Sequence, residues 1–309
     1  MHTTAAEVVC IASWNVDLIA HIPAPLARGQ TLLASHFERQ PGGKGSNAAI
    51  AAARQGARVG LVARVGGDDF GQMGLDLWAR EGIDSRHVVR AEGETNGTAL
   101  ILVYADGDNS IAVYPGAGAG LAPEHARQAR GLLGGARVVM ASCEVPLAVT
   151  QEAFALARAH SGQGVTTLLN PAPAMPLPDA LWPLIDVLTP NEGELQQLAG
   201  ESDTARAAER LLARGVGALV VTLGARGCCL YRTGHAPLAV PGHAVQVADT
   251  IGAGDTFTGA LAAAHARGED WPAALACANA AAALSTRAHG AVSAMPDLTA
   301  VRQWLARVK

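Results

Sequence analysis

The sequence predicts an α/β fold in which a mainly parallel sheet is covered by helices on both faces. Short apolar runs rich in β-branched residues alternate with alanine-rich stretches along the 309 residues. The strand-like runs are VVCIAS, RVGLVARVG, ARVVMAS, VTTLLNPAPA, DVLTPN and ALVVTLG. The stretches between them have helical periodicity; in one, Leu147, Phe154 and Ala155 share a face. This alternation is typical of parallel strands joined by crossover helices.

Two segments interrupt the alternation, Leu18–Gln40 and Gly97–Tyr114. The second contains TALILVYADGDNSIAVY, two strand-like halves around the turn-forming Asp106–Asn109, and predicts a β-hairpin. We expect both segments, with boundaries near 15–42 and 95–116, to form a small accessory sheet that covers an active site as a lid. No Pro/Ser-rich linker sets them apart from the rest of the chain, whose length allows one large α/β domain or two smaller ones.

Composition excludes several classes of protein. Half of the residues are hydrophobic and 16% are charged, which indicates a compact globular chain. The net charge of −4 gives no reason to expect binding to nucleic acid, which needs clustered Lys and Arg. The five cysteines lack the spacing of zinc or redox sites and are expected in the core. With no basic leader and no apolar run of ~18 residues, the protein is expected in the cytoplasm, without a membrane partner.

The most informative segment is Asp249-Thr-Ile-Gly-Ala-Gly-Asp255, a glycine-rich turn that opens into an apolar-periodic helix. Small residues at Gly252, Ala253 and Gly254 let the backbone approach a ligand, and the free N–H groups of the first helical turn favour an anion there. Asp255 lies in that turn, where the helix dipole favours its ionised form, so it can accept a proton from a hydroxyl. A plain helix-capping role for Asp255 remains open at this point.

A second glycine loop, Pro41–Asn47, precedes the helix that ends at Gly56. It is not a Walker A loop, because no glycine stands five residues before Gly43 and Gly45 follows Lys44 where Ser or Thr is needed. The chain also lacks a dinucleotide fingerprint, since Gly116-Ala-Gly118 and Gly252-Ala-Gly254 have no glycine at its third position and neither lies in an N-terminal strand–turn–helix unit. A tight turn with a solvated lysine is the alternative interpretation.

Polar residues follow several strands at the carboxyl edge of the sheet, where open α/β sheets bind ligands. Asn15 and Asp17 follow VVCIAS and suit the paired donors and acceptors of sugar hydroxyls, although a turn role is equally compatible. Asn191 and Glu194 follow DVLTPN and suit hydrated magnesium, or simply a capped helix start. The loop 222–227 is a further glycine loop after a strand.

Taken together and in order, these segments resemble the PfkB family of carbohydrate kinases, and within it the ribokinase branch. The resemblance covers nearly the whole chain, and the Asp249–Asp255 segment is its most specific part. The remaining segments that carry it are Asn15-Val-Asp17, Gly42-Gly-Lys-Gly-Ser-Asn47, Asn170-Pro-Ala-Pro-Ala174, Asn191-Glu-Gly-Glu194 and Thr222–Gly227. Two departures are Ala48, where Gln is common, and Asn279, where His is frequent.

The resemblance implies a single domain over residues 1–309, a ribokinase-like three-layer α/β/α sandwich with a central, mostly parallel sheet and a small β-sheet lid. It implies ATP-dependent phosphorylation of a small sugar, D-ribose to D-ribose 5-phosphate, with Mg²⁺ and K⁺, by a homodimer that pairs through the lid sheet. A same-family kinase for deoxyribose, fructose or a nucleoside is the alternative. A catalytically silent sugar-binding protein of the same fold is a third hypothesis.

The resemblance also implies a role for individual residues. Asp255 is the catalytic base, and Gly252, Ala253 and Gly254 form the anion hole. The sugar-binding positions are Asn15, Val16, Asp17, Gly42, Gly43, Lys44, Gly45, Ser46, Asn47, Glu144 and Asp255. The nucleotide positions are Asn191, Glu194, Thr222, Leu223, Gly224, Ala225, Arg226, Gly227, Gly254 and Asn279. The potassium positions, mostly through backbone carbonyls, are Asp249, Ile251, Ser285, Ala288, Gly290 and Ala294.

Overall fold

Nine strands form the central sheet of the computed structural model, which describes residues 5–160 and 164–308. In chain order, the strands of the described residues are β1 (Val8–Ala12), β2 (Asn15–His21), β3 (His36–Gly42), β4 (Val59–Gly66), β5 (Asp84–Ala91), β6 (Gly97–Val103), β7 (Asn109–Tyr114), β8 (Val138–Ser142), β9 (Thr166–Asn170), β10 (Val187–Leu188), β11 (Ala218–Thr222), β12 (Gly227–Tyr231) and β13 (Leu238–Pro241). The central sheet has the order β13-β12-β11-β10-β9-β8-β1-β4-β5. Only its pairings β11–β12 and β12–β13 are antiparallel. The predicted mostly parallel sheet is confirmed.

Helices cover both faces of this sheet. They are α1 (Lys44–Arg54), α2 (Asp69–Arg80), α3 (Pro123–Gln128), α4 (Arg130–Gly135), α5 (Leu147–His160), α6 (Glu192–Ala199), α7 (Thr204–Leu212), α8 (Ala253–Ala266), α9 (Trp271–Ser285) and α10 (Leu298–Arg307). One buried core joins the sheet to α1, α8 and α9, and a second joins its other face to α5, α6 and α7. This is the expected three-layer α/β/α sandwich. Within the described ranges, no helix is long and apolar enough to span a bilayer.

Strands β2, β3, β6 and β7 form a separate sheet, which we call the lid sheet, in the order β3-β2-β6-β7. The predicted hairpin is confirmed, because β6 and β7 pair antiparallel from Thr98–Tyr114 to Val103–Asn109. Strand β2 lies between them and β3, and its first residue, Asn15, pairs with both Gly42 and Gly97. The base of the lid sheet therefore adjoins the loop that leads into α1.

Helices α1 and α8 pack closely because their facing positions are Ala and Gly. A Cβ added to Gly259 would lie 2.2 Å from the carbonyl oxygen of Ala48, well inside van der Waals contact. Both helices are almost completely buried along this contact. The close approach sets their N-termini, and the two glycine loops that precede them, side by side.

Candidate active site

The functional residues predicted from sequence gather at the carboxyl edge of the central sheet. Glu144 follows β8, Asn191 follows β10, and Thr222 ends β11. Helices α1 and α8 begin at the same edge, and Asn47 of α1 donates a hydrogen bond through Nδ2 to Asp255 Oδ2 of α8 at 2.9 Å. The two glycine loops, 208 residues apart at these positions, therefore form one site.

Asp255 is a buried carboxylate in the first turn of α8. Its residue is 7% exposed, and burial raises its pKa, while the Lys44 charge and the Asn47 hydrogen bond oppose that rise. A carboxylate with a raised pKa is a stronger proton acceptor than an exposed one. The geometry rules out a purely capping role, since the hydrogen bond recorded for its side chain runs to Asn47 and not to a backbone amide of α8.

The turn before α8 leaves backbone N–H groups open. Gly252 has φ 74°, a left-handed conformation that favours glycine. The amide of Ala253 donates to the Thr250 carbonyl, and that of Thr256 donates to the Gly252 carbonyl. Between them, the N–H groups of Gly254 and Asp255 meet no acceptor among the described residues. Gly254 is exposed, so this pair of amides is accessible to an anion.

The turn before α1 has a different hydrogen-bonding state. The Lys44 amide donates to Glu144 Oε2 at 2.8 Å, and the Gly45 amide donates to Ser13 Oγ at 3.2 Å. The Ser13 hydroxyl in turn donates to the same Glu144 oxygen at 2.7 Å. Ser13 was not predicted as a site residue, although it is a polar residue directly after the first strand, as Asn15 is. It links the proposed sugar ligand Glu144 to the glycine loop.

A cluster of charges surrounds Lys44. Burial by itself would lower the pKa of the Lys44 ammonium, but nearby carboxylates raise it above its ordinary value. These carboxylates belong to Asp255, Glu144, Glu194 and Asp17. Burial, and then the charge of Glu144, raises the pKa of Asp17 to about 6. Predicted sugar and nucleotide residues therefore lie within electrostatic reach of one lysine.

Two predicted sugar positions have side chains that point away from the site. Val16 is wholly buried in the core, on the opposite side of β2 from Asn15 and Asp17. Ser46 is also buried, and its Oγ accepts a hydrogen bond from Trp78 Nε1 at 2.8 Å. A contact of these two positions with the sugar therefore stays a prediction for their backbone atoms alone.

A cavity of about 10 Å³ lies beneath Asp255 and is lined in part by Ala48 and Lys44. That volume accommodates roughly one water molecule. Ala48 is the position where the resemblance leads one to expect Gln, and its small side chain leaves room there. Ser142, Asn170 and Thr258 add polar side chains to its lining.

The predicted nucleotide residues lie beside this site. Asn191 and Glu194 make a reciprocal capping box at the start of α6, with both hydrogen bonds at 2.8 Å. The capped helix start is thus real, yet burial raises the pKa of Glu194, which also lies in the field of Lys44. Thr222 bridges to Asn191, and the following loop carries Leu223 to Gly227. Arg226 pairs with Glu192, and Asn279 donates to the Pro241 carbonyl at 2.7 Å.

The predicted potassium residues centre on Asp249. Its carboxylate accepts from the Ile251 amide and from the Gly290 amide, each at 3.0 Å, and so ties two loops together. The hydroxyl of Ser285 is engaged with the Ala282 carbonyl, and Ala288 and Ala294 offer no polar side-chain atom. No cluster of three or more His, Cys, Asp or Glu side chains suited to a metal occurs in residues 5–160 and 164–308. A cation at this position would therefore be held mainly by backbone carbonyl oxygens, beside the Asp249 carboxylate.

Open helix-terminal amides beside a buried carboxylate suit the transfer of a phosphoryl group to an alcohol. Residues 5–298 match the pfkB family of carbohydrate kinases. The chain belongs to this family.

Individual relatives agree with this assignment. The chain is 36% identical over 299 residues to a ribokinase of Bacillus subtilis, which covers 97% of this chain and 99% of that one. It is 33% identical over 308 residues to a deoxyribokinase of Salmonella typhi, covering 97% and 98% respectively. The solved structure of Arabidopsis thaliana ribokinase complexed with ribose and ATP aligns with a TM-score of 0.93 at 30% identity, over 98% of this chain and 99% of that one.

Proposed function

We propose that this protein transfers the γ-phosphoryl group of ATP to the 5-hydroxyl of D-ribose, giving D-ribose 5-phosphate and ADP. The observation that carries the proposal is the Asn47–Asp255 hydrogen bond, which joins the sugar loop to the helix start with open amides. The full-length similarity to ribokinases supports the choice of sugar. The same similarity to a deoxyribokinase makes deoxyribose the second candidate.

The proposed chemistry uses the residues in the following way. Asn15, Asp17, Asn47 and Glu144 hold the sugar hydroxyls, together with the backbone of the loop from Gly42 to Ser46. Asp255 accepts the proton of the 5-hydroxyl as its oxygen forms a bond to the γ-phosphorus. The bond from that phosphorus to the β–γ bridging oxygen breaks, and the electron pair leaves with ADP. The amides of Gly254 and Asp255, with the turn Gly252–Ala253, stabilise the charge on the phosphoryl oxygens.

In this proposal, the nucleotide lies along Asn191, Glu194, the loop from Thr222 to Gly227, and Asn279. Glu194 would hold Mg²⁺ through water, and the ion when bound neutralises charge on the phosphates. Asp249 and the carbonyls near Ile251, Ser285, Ala288, Gly290 and Ala294 would hold K⁺. Because Asp249 already joins these loops, a cation there would stiffen the turn that leads to the open amides.

We further propose that the protein is a cytoplasmic homodimer that pairs through the lid sheet, which covers the sugar. Ile111 and Val113 are each more than half exposed on one face of this sheet. On its other face, Phe37, Leu100 and Tyr114 form a patch of apolar side chains that are each more than half exposed. Such a patch favours burial against a second copy. All five cysteines lie in the described part of the chain, buried and without a disulfide, which suits a reducing compartment.

A coupled assay of ADP release across D-ribose, deoxyribose, fructose and adenosine tests the substrate, with and without potassium. We expect D-ribose to have the highest kcat/KM. A tenfold preference for deoxyribose would select the second candidate, and the same preference for fructose or adenosine would reject both. Absence of turnover on every sugar, despite sugar binding by calorimetry, would identify a catalytically silent protein.

A further inference from the structure

Arg54, the last residue of α1, holds a segment of chain far from it in sequence. Its Nη1 donates to the carbonyl oxygen of Val292 at 2.6 Å and to that of Met295 at 3.0 Å. The other edge of the guanidinium makes a bidentate pair with Glu81, at 2.7 and 3.1 Å. The adjacent Gln55 donates to the carbonyl of Pro296 at 2.8 Å. The end of α1 thus binds three carbonyls of the segment 290–296.

The front of this same segment contacts the turn that precedes α8. The Gly290 amide donates to Asp249 Oδ2. Ala291 packs directly against Gly252, since a Cβ added there would lie 2.7 Å from the Ala291 Cβ. The segment 290–296 therefore lies between the C-terminus of α1 and the turn that presents the open amides. If the residues whose carbonyls Arg54 binds were to shift, the van der Waals contact of Ala291 with Gly252 would pass that shift to the turn.

We propose that Arg54 is a positioning residue for the anion hole of the phosphoryl-transfer site. Arg54 holds Val292 and Met295, and these residues place Ala291 against Gly252. The conformation of Gly252 in turn sets the direction of the two open amides. The inference rests on the proposed function only for its kinetic consequence; the contacts stand without it. A planar guanidinium donates to a carboxylate from one edge and to carbonyls from the other. A lysine ammonium is a compact point charge and cannot hold both sets of acceptors in that fixed geometry.

The experiment compares Arg54→Lys, Arg54→Gln and Glu81→Gln with the wild-type chain. Arg86→Gln is the matched control, because Arg86 also makes a bidentate pair with an acidic residue, Asp84, but does so on the surface. Steady-state kinetics measure kcat and the KM for sugar. Hydrogen–deuterium exchange measures the amides of Ile251, Ala253 and Thr256, each of which donates a hydrogen bond inside the turn.

We expect kcat to fall about 10²-fold in Arg54→Gln and about tenfold in Arg54→Lys and Glu81→Gln, with the KM for sugar changed less than threefold, because small displacements of reacting groups cost rate and not ground-state binding. Exchange should quicken in the turn 249–256 and not in the central strands. Unchanged kcat and exchange would overturn the inference, as would an equally raised exchange throughout the chain in both Arg54→Lys and Glu81→Gln. If the wild-type chain phosphorylates no sugar, the proposed function fails, and local exchange alone decides the role of Arg54.

Discussion

The two glycine-led helix starts of this protein differ in the state of their backbone amides. At α1, the amides of Lys44 and Gly45 already donate to Glu144 and Ser13. At α8, the amides of Gly254 and Asp255 have no acceptor in the part of the chain that the structure describes. We call a helix start saturated when its first backbone amides already donate to protein acceptors, and open when they do not. A saturated helix start positions side chains, whereas an open one can bind an anion. In the proposed function, this difference explains how two similar sequence patterns can serve a neutral sugar and a charged phosphoryl group.

The largest effect is expected from removing the proposed base, Asp255, at the open helix start. Asp255→Asn keeps the shape of the side chain but cannot accept a proton, so we expect kcat to fall about 10²-fold or more while sugar affinity changes little. Steady-state kinetics with calorimetric titration of the sugar measure both. Asp249→Asn is a useful comparison, since that carboxylate accepts two amides without touching the proton in transit. Unchanged turnover in Asp255→Asn would contradict the role of the residue.

The second prediction removes one of the open amides. Gly254 is the second residue of α8, and α9 has Pro272 at its own second position, so Gly254→Pro is compatible with a helix start. We expect kcat to fall about 10²-fold, the typical loss for one oxyanion-hole donor. Gly254→Ala is the control, because an added Cβ meets no atom within 4 Å and the N–H remains. Equal activities of the two variants would show that this amide binds no phosphoryl oxygen.

Much of this arrangement could be predicted from sequence, because it depends on local patterns. Strand-like runs, the hairpin at Asp106–Asn109 and both glycine loops are signals confined to a few neighbouring residues. The saturation of the first loop was not predictable, since Ser13 and Glu144 lie 131 residues apart. Arg54 and Val292, 238 residues apart, escape prediction for the same reason. Tertiary partners decide whether an amide is open, and a single sequence does not record them.

Helical periodicity is also a weak guide to burial where the residue concerned is small. Leu147, Phe154 and Ala155 are predicted to share one face of α5. Phe154 is fully buried, whereas Ala155 is exposed. An alanine is compatible with either environment, so its place in a helical period is a weak signal.

The third prediction tests the saturated helix start. Ser13→Ala removes the donor to Glu144 and leaves the Gly45 amide buried without its acceptor, at a cost of about 1–3 kcal/mol. We expect the KM for sugar to rise about tenfold with kcat nearly unchanged, since Glu144 binds the ground state and the transition state alike. Ser35→Ala, which removes an exposed hydroxyl bonded to the His21 carbonyl, serves as the control. A fall in kcat without a change in KM would place Ser13 in the phosphoryl-transfer machinery instead.

The smallest effect concerns Asp17, whose carboxylate adds to the negative charge beside the saturated helix start. Its pKa is raised from 3.8 to about 6, so the folded chain binds this proton more tightly than the unfolded chain. The ionised carboxylate therefore destabilises the fold above about pH 6, and this penalty fades as the pH falls from 6 to below 4. Asp17→Asn should stabilise the protein at pH 8 by about 1 kcal/mol, allowing for solvent screening of a partly exposed group.

Thermal unfolding of Asp17→Asn and wild type from pH 4 to pH 8, without sugar, measures this difference. Asp76→Asn, on the exposed face of α2, controls for the loss of a negative charge anywhere on the protein. The gain should be absent near pH 4 and grow through pH 6, while the KM for sugar rises in the variant because an amide replaces a carboxylate acceptor. If Asp17→Asn raised the free energy of unfolding equally at all pH values, ionising Asp17 would cost no more in the folded chain than in the unfolded chain. The pKa of Asp17 would then not be raised by burial and by Glu144.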